Sequence, residues 1–313
     1  MSSGTEDDEK ARVEILEPSA DAADSSSSSS SEEEDTDLYE DDYMTVRSIY
    51  GDCDVEEEIL VTWKMGGWEN IAAAEADGDG DAGAESQEER DGREMRAGWR
   101  ELSLSTQLEP DRLAPLFSGA EWAGTRLWTA AILATEYLHD AYGARLRTDP
   151  ASSLLELGCG LGAPGMLARL MGASAVVLTD VPALLSQLER NVARNFPDDE
   201  GVRAAALDWS RPAVRELLRE TGRAERGFDV VLNCDCVFEH LYGTSWKLLV
   251  EVVDELLRVN PRCVSITSVE RRNGDGIDAF LEKLRGIEDS VTELVFEEGS
   301  VQIYTTVKIG VES

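Results

Sequence analysis

From residue 127 onward, apolar positions recur in two alternating rhythms, and the alternation predicts a succession of helices and strands. Spacing of three to four residues marks helices over 127–142, 164–171, 182–196, 212–220, 245–259 and 275–284. Between them lie short apolar runs that predict buried strands at 153–157, 175–179, 204–207, 229–233 and 263–268. Strands that alternate with helices build a parallel sheet covered on both faces. The rhythm breaks near the C-terminus, where the β runs 291–297 and 301–307 are separated only by Glu298, Gly299 and Ser300. So short a Gly-containing link predicts a hairpin, and hence an antiparallel last strand.

Upstream the pattern differs. Ile59, Leu60, Val61, Thr62 and Trp63 form a β-branched and aromatic run, and a second strand is expected near 99–105. Residues 72–92, rich in Ala, Gly, Asp and Glu, read as a flexible acidic insertion between these strands, within a small N-terminal β element at 45–123. Residues 1–44 carry an unbroken serine run from Ser25 to Ser31, followed at once by Glu32, Glu33, Glu34 and Asp35. Such a segment buries too little apolar surface to offset its ordering entropy, so a disordered acidic tail is expected there. Its Ser-then-acid order would also suit an acid-directed kinase. Residues 124–313 then form the α/β domain.

The formal net charge of −35, from 64 acidic against 29 Lys and Arg residues, leaves no electrostatic term to favour nucleic-acid phosphates. A basic or neutral partner is expected instead. Cys53, Cys159, Cys234, Cys236 and Cys263 form no CxxC pair, as suits reduced intracellular thiols. His139 and His240 lack the spacing of metal ligands, so no metal is expected. No apolar run approaches the roughly 20 residues of a membrane span, and MSSGTEDDEK lacks a signal-peptide layout. The expectation is a soluble cytoplasmic protein, with the nucleus as an alternative, and no membrane partner.

The strongest local signal is ELGCGLGAPG, residues 156–165, set between a strand and a helix. Gly158, Gly160 and Gly162 let the chain turn sharply and let a ligand touch backbone, which implies a nucleotide-like ligand. Glu156, just ahead of the glycines, would repel the pyrophosphate of a dinucleotide but could face the cationic amino-acid end of S-adenosyl-L-methionine. Asp180 closes the next strand about twenty residues on and suits paired hydrogen bonds to ribose hydroxyls. Asp208 and Trp209, after the third strand, offer a carboxylate for an exocyclic amine and an indole for stacking on adenine. Asp235 and Phe238, after the fourth, should face the reactive end of the cofactor, because ligands gather at the carboxyl ends of parallel strands. The cysteines around Asp235 read as small hydrophobes.

Gly124-Thr125-Arg126-Leu127-Trp128, the ELGCGLGAPG turn, Leu178-Thr179-Asp180, Leu207-Asp208-Trp209 and Asp235-Cys236-Val237-Phe238, in this order, resemble methyltransferase family 16, a group of seven-β-strand class I enzymes. The resemblance runs from about residue 96 to the C-terminus. It implies a Rossmann-like, seven-stranded, mostly parallel sheet with an antiparallel C-terminal hairpin, and transfer of methyl groups to lysine side chains of non-histone proteins. Basic substrates of the translation-factor, ribosomal-protein or chaperone class would fit. The family's GxxxW segment corresponds to Gly124 and Trp128, with the tryptophan lining the cofactor site. Its DxxY motif corresponds to Asp235 and Phe238, which implies catalytic positions; here the tyrosine is phenylalanine, so the hydroxyl is missing. Two alternatives stay open: methylation of a small molecule or another side chain, and a non-catalytic binding module.

Overall fold

The computed structural model describes residues 35–40, 44–50, 56–64, 99–106 and 122–310. The chain divides into Met1–Glu32 and Glu33–Ser313, and every described residue belongs to the second unit. Residues 1–34 of the expected tail, and the expected insertion at 72–92, lie outside the described residues.

An antiparallel sheet is built from β1 (Asp35–Glu40), β2 (Met44–Tyr50), β3 (Glu56–Lys64) and β4 (Trp99–Ser105), in that spatial order. β1 falls inside the stretch 1–44 expected to be disordered, which corrects the start of the β element. Its sequence, DTDLYE, is poor in apolar residues, but an edge strand is held by backbone pairing, here to β2, and needs no apolar face of its own. β3 and β4 pair directly, so 72–92 falls between two paired strands. Met44, Val46, Ile59, Val61, Trp63, Leu102 and Leu104 are buried at alternate positions, and the sheet packs through this one face.

The larger sheet follows in alternation: α1 (Thr129–Thr148), β5 (Ser153–Leu157), α2 (Ala163–Met171), β6 (Ala175–Asp180), then a 3₁₀ turn at Pro182–Leu184 leading into α3 (Leu185–Asn195). Next come β7 (Val202–Ala206), α4 (Arg211–Glu220), β8 (Val230–Cys234), the short α5 (Glu239–Tyr242) and α6 (Trp246–Val259). β9 (Val264–Glu270), α7 (Ile277–Arg285), β10 (Ser290–Glu298) and β11 (Val301–Lys308) complete it. The seven strands lie in the order β10-β11-β9-β8-β5-β6-β7. β5 to β9 are parallel, and β11 is antiparallel to both β9 and β10, as the hairpin requires. The apolar strand runs are continuous because both faces are covered: Leu154, Val176 and Val230 point into one core, Leu155, Val177 and Val231 into the other.

The two sheets are joined by side-chain amides on one face of α3. Asn195 Oδ1 accepts from the Ser103 amide at 2.8 Å and its Nδ2 donates to the Ser103 carbonyl at 2.8 Å. Asn191 Oδ1 accepts from the Ser105 amide at 2.9 Å, and Gln187 Nε2 donates to the Ser105 carbonyl at 3.0 Å. Positions 187, 191 and 195 recur every four residues, so the three amides stack along the helix and seal the outer edge of β4. Asn191 is fully buried. Asn191→Ala leaves the Ser105 amide without that acceptor, and a loss of about 1–3 kcal/mol in unfolding free energy is expected. Urea denaturation, read as a lower midpoint at unchanged slope, checks this.

Candidate functional site

β5 is flanked by β6 on one side and β8 on the other, so the sheet reverses direction of growth there, and ligands of open α/β sheets bind at that point. A cavity of about 530 Å³ lies there, lined by residues from the Gly-rich turn, the ends of β6 and β8, and the loop after β7. Trp128, Glu156, Gly158, Gly160, Asp180, Asp208, Trp209 and Asp235 all line it. Gly162 and Phe238 do not.

The Gly-rich turn is shaped by close approach. Gly158 has φ +61°, and a Cβ there would stand 2.7 Å from Cys236 Sγ and 3.2 Å from the Trp209 ring. Gly162 also has positive φ, +79°, but its Cβ direction meets Leu188 at 2.8 Å and Leu178 at 3.0 Å. It caps the start of α2 with its Cβ direction toward the core, and unlike Gly158 and Gly160 it does not line the cavity.

Glu156 is buried at 1% exposure, and its Oε2 accepts from the Gly165 amide in the first turn of α2 at 2.8 Å. Burial pushes its carboxyl up to about 8; the Gly165 hydrogen bond opposes the rise and the nearby Asp180 charge adds to it. Between the ordinary value of 4.5 and about 8 the folded protein keeps a proton that the unfolded chain has released. Stability from this group therefore falls as pH rises through that window. Glu156→Gln should remove the fall, so the variant gains on wild type between pH 5 and pH 8 in urea denaturation without cofactor.

Asp180 Oδ2 accepts from the Gly160 amide at 2.7 Å and Oδ1 from the Val181 amide at 2.7 Å. Burial raises its pKa against both bonds. Each oxygen keeps a further lone pair. Trp128 is fixed by donation from Nε1 to the Ala123 carbonyl at 3.0 Å and by an edge contact with Trp122, ring centroids 6.0 Å apart. Cys159, Cys234 and Cys236 also line the cavity; burial holds their thiols well above the ordinary range, consistent with packing residues.

Asp235 is in the left-handed region, φ 54°, and 8% exposed. Its carboxylate does not stand bare. Arg272 grips it with two hydrogen bonds, 2.9 Å to Oδ1 and 2.7 Å to Oδ2, and the Glu270 amide adds a third at 3.2 Å. The guanidinium also bonds Glu270 Oε2 at 2.6 Å and lies over Trp128 and Phe238, 5.7 Å and 5.3 Å from the ring centroids. Phe238 is thus turned toward Arg272 and, at 5.4 Å, toward His240, which takes it off the cavity wall.

Sequence reasoning missed Arg272 and Tyr242. Arg272 sits just past the carboxyl end of β9, a strand end whose flanking charges were a usable signal. Tyr242 ends α5, lines the cavity, and was passed over because Phe238 occupied the motif position. Arg126 lines the cavity as well. Among the described residues no cluster of three or more His, Cys, Asp or Glu could hold a metal, and no helix is long and apolar enough to cross a membrane.

The strand order, the antiparallel last strand and the acid-glycine turn between β5 and α2 together define a Rossmann-like methyltransferase fold. Residues 113–286 match the family model Methyltransferase 16, described as lysine methyltransferase, and the chain belongs to that family, whose cofactor is S-adenosylmethionine. The chain is similar to the "Secreted RxLR effector protein 48" of Plasmopara viticola, 43% identical over 128 residues that cover 38% of this chain and 64% of the relative. It is similar to "EEF1A lysine methyltransferase 3" of Xenopus tropicalis, 26% identical over 159 residues, covering 50% and 62%. The match thus spans less than two thirds of the length of either curated relative. Among solved structures, a human methyltransferase 10 domain containing protein aligns with TM-score 0.43 at 10% identity, covering 58% of this chain and 84% of that one.

Proposed function

We propose that this protein transfers methyl groups from S-adenosylmethionine to lysine side chains of a non-histone protein in the cytoplasm. The observation that carries the reading is Glu156: a buried carboxyl that lines the cavity, with no basic side chain paired to it among the described residues, in a chain of a lysine methyltransferase family. A cationic amino-acid end suits such an acid, which a pyrophosphate does not. Gly158 and Gly160 line the cavity, where a Cβ would run into Cys236 Sγ and the Gly124 carbonyl. Asp180 retains lone pairs for ribose hydroxyls, and Asp208 with Trp209 suits the amine and face of an adenine ring.

When bound, the cofactor supplies a methyl group on a sulfonium, open to in-line attack by a neutral amine. The protein's share is alignment and exclusion of water. A lysine amine, with an ordinary pKa near 10.4, must arrive without its proton. Trp128 gives the acceptor end an apolar wall, and Arg272 neutralises Asp235, so no bare carboxylate is left there to favour the ammonium form. Asp235 then acts through Arg272 and the wall that Arg272 supports.

The acidic surplus suits a basic substrate, and the elongation-factor methyltransferase among the relatives supports a protein acceptor of the translation-factor class. Incubation of the protein with methyl-labelled S-adenosylmethionine and cell extract, followed by mass spectrometry of the labelled band, tests the reading. Methyllysine in a protein band is expected. Label confined to small molecules, or to another side chain, would overturn it.

A further inference from the structure

The acceptor end of the cavity lacks a hydroxyl at position 238, and the acid beside it is already engaged. Phe238 carries no oxygen, and its ring packs on Arg272 and His240 away from the cavity. Both oxygens of Asp235 are taken by Arg272, one of them also by the Glu270 amide. An amine approaching the methyl group still needs a polar partner, because an N–H buried without one costs free energy and leaves the nitrogen lone pair unaimed.

We propose that Tyr242 supplies that partner, its phenolic oxygen accepting an N–H of the acceptor amine so that the nitrogen lone pair points along the line of methyl transfer. Three observations support it. Tyr242 lines the same cavity as Asp180, Asp235 and Cys236. It sits one helical turn beyond Phe238, and the Tyr242 amide donates to the Phe238 carbonyl at 2.8 Å, so α5 fixes it relative to the end of β8. Its hydroxyl makes no hydrogen bond within the described residues, and the side chain is partly buried. Burial and the acids Asp235 and Asp180 push its pKa up, so the phenol stays protonated across the neutral range. It is thus a positioning residue and no proton acceptor; the amine must lose its proton to solvent before it is enclosed.

This inference rests on the proposed function, and two cofactor analogues test it without a protein substrate. Sinefungin carries an amine in place of the methyl group, whereas S-adenosylhomocysteine has neither, so only sinefungin presents an N–H to the acceptor end. Calorimetric titration of wild-type and Tyr242→Phe protein with both analogues gives the comparison. A hydrogen bond to a charged amine predicts that the variant loses about tenfold or more in affinity for sinefungin and keeps that for S-adenosylhomocysteine within about twofold. Unchanged sinefungin affinity would overturn the proposal. Equal loss for both analogues would also overturn it, because Tyr242 would then only shape the cavity. Wild-type protein that binds neither would overturn it together with the cofactor reading. Selective loss in Tyr242→Phe beside a lysate without methyllysine would keep Tyr242 and reject lysine as acceptor.

Discussion

Gly160→Ala is expected to fold and to bind S-adenosylmethionine about 10- to 100-fold more weakly than wild type. Gly160 has φ +53°, a conformation that costs an L-residue about 1–2 kcal/mol. Its Cβ would also stand 3.0 Å from the Gly124 carbonyl oxygen, which is backbone and cannot rotate aside. Relief requires the turn to move away from Gly124, and that movement draws the Gly160 amide off Asp180 Oδ2, now 2.7 Å away. Backbone strain and a displaced Asp180 together come to about 1.4–2.8 kcal/mol, one to two factors of ten in affinity. Calorimetric titration with the cofactor measures it directly. Gly162→Ala is the contrast. Its Cβ meets the ends of two leucine side chains in the core, so it should lower the melting temperature while leaving cofactor affinity within a fewfold. If the two variants bind alike, the cavity assignment of Gly160 fails.

The contrast between these glycines marks what could be read from the chain before the fold was known. Spacing alone put both in one turn, because a strand, a glycine run and a helix in succession are local features. Which glycine faces the ligand depends on Leu178 and Leu188, side chains brought there by β6 and α3. The same division holds elsewhere. Strands β5, β6, β8 and β9 were legible because two covered faces require unbroken apolar runs, and the final hairpin because its link is too short for anything else. β1 was not, since an edge strand held by backbone pairing leaves little trace in composition. The amides of Gln187, Asn191 and Asn195 show a four-residue repeat in the sequence, yet nothing local says that β4 lies against them. Phe238 was placed at the acceptor end by its motif position, and Arg272 moved it. A residue distant in sequence, contributed by the end of β9, decided what Asp235 and Phe238 are available to do.

That dependence gives the second large effect. Asp235→Asn and Arg272→Gln should each cut methyl transfer by about tenfold or more, with cofactor affinity little changed, and the double variant should be no worse than either alone. Asn is the right replacement for Asp235, because it tolerates the left-handed backbone at φ 54° and so removes charge without adding strain. Breaking a buried ion pair from one side costs about 3–5 kcal/mol when the remaining charge is stranded. Here the Arg272 side chain is 24% exposed and keeps Glu270, so Asp235→Asn should lose only about 2 kcal/mol of stability. Arg272→Gln leaves the Asp235 side chain, itself 6% exposed, to find water, and a similar loss is expected. The double variant, with no stranded charge, should recover part of that stability but none of the activity, because the guanidinium that spans Trp128 and Phe238 is gone. The decisive measurement is the rate of Arg272→Gln. If it methylates as fast as wild type while Asp235→Asn does not, the freed carboxylate itself meets the acceptor amine, and Asp235 is a catalytic residue in its own right. If both fall together and the double variant falls no further, the acid and the arginine act as one unit, and the role of Asp235 is to hold the cation that keeps the acceptor end in shape.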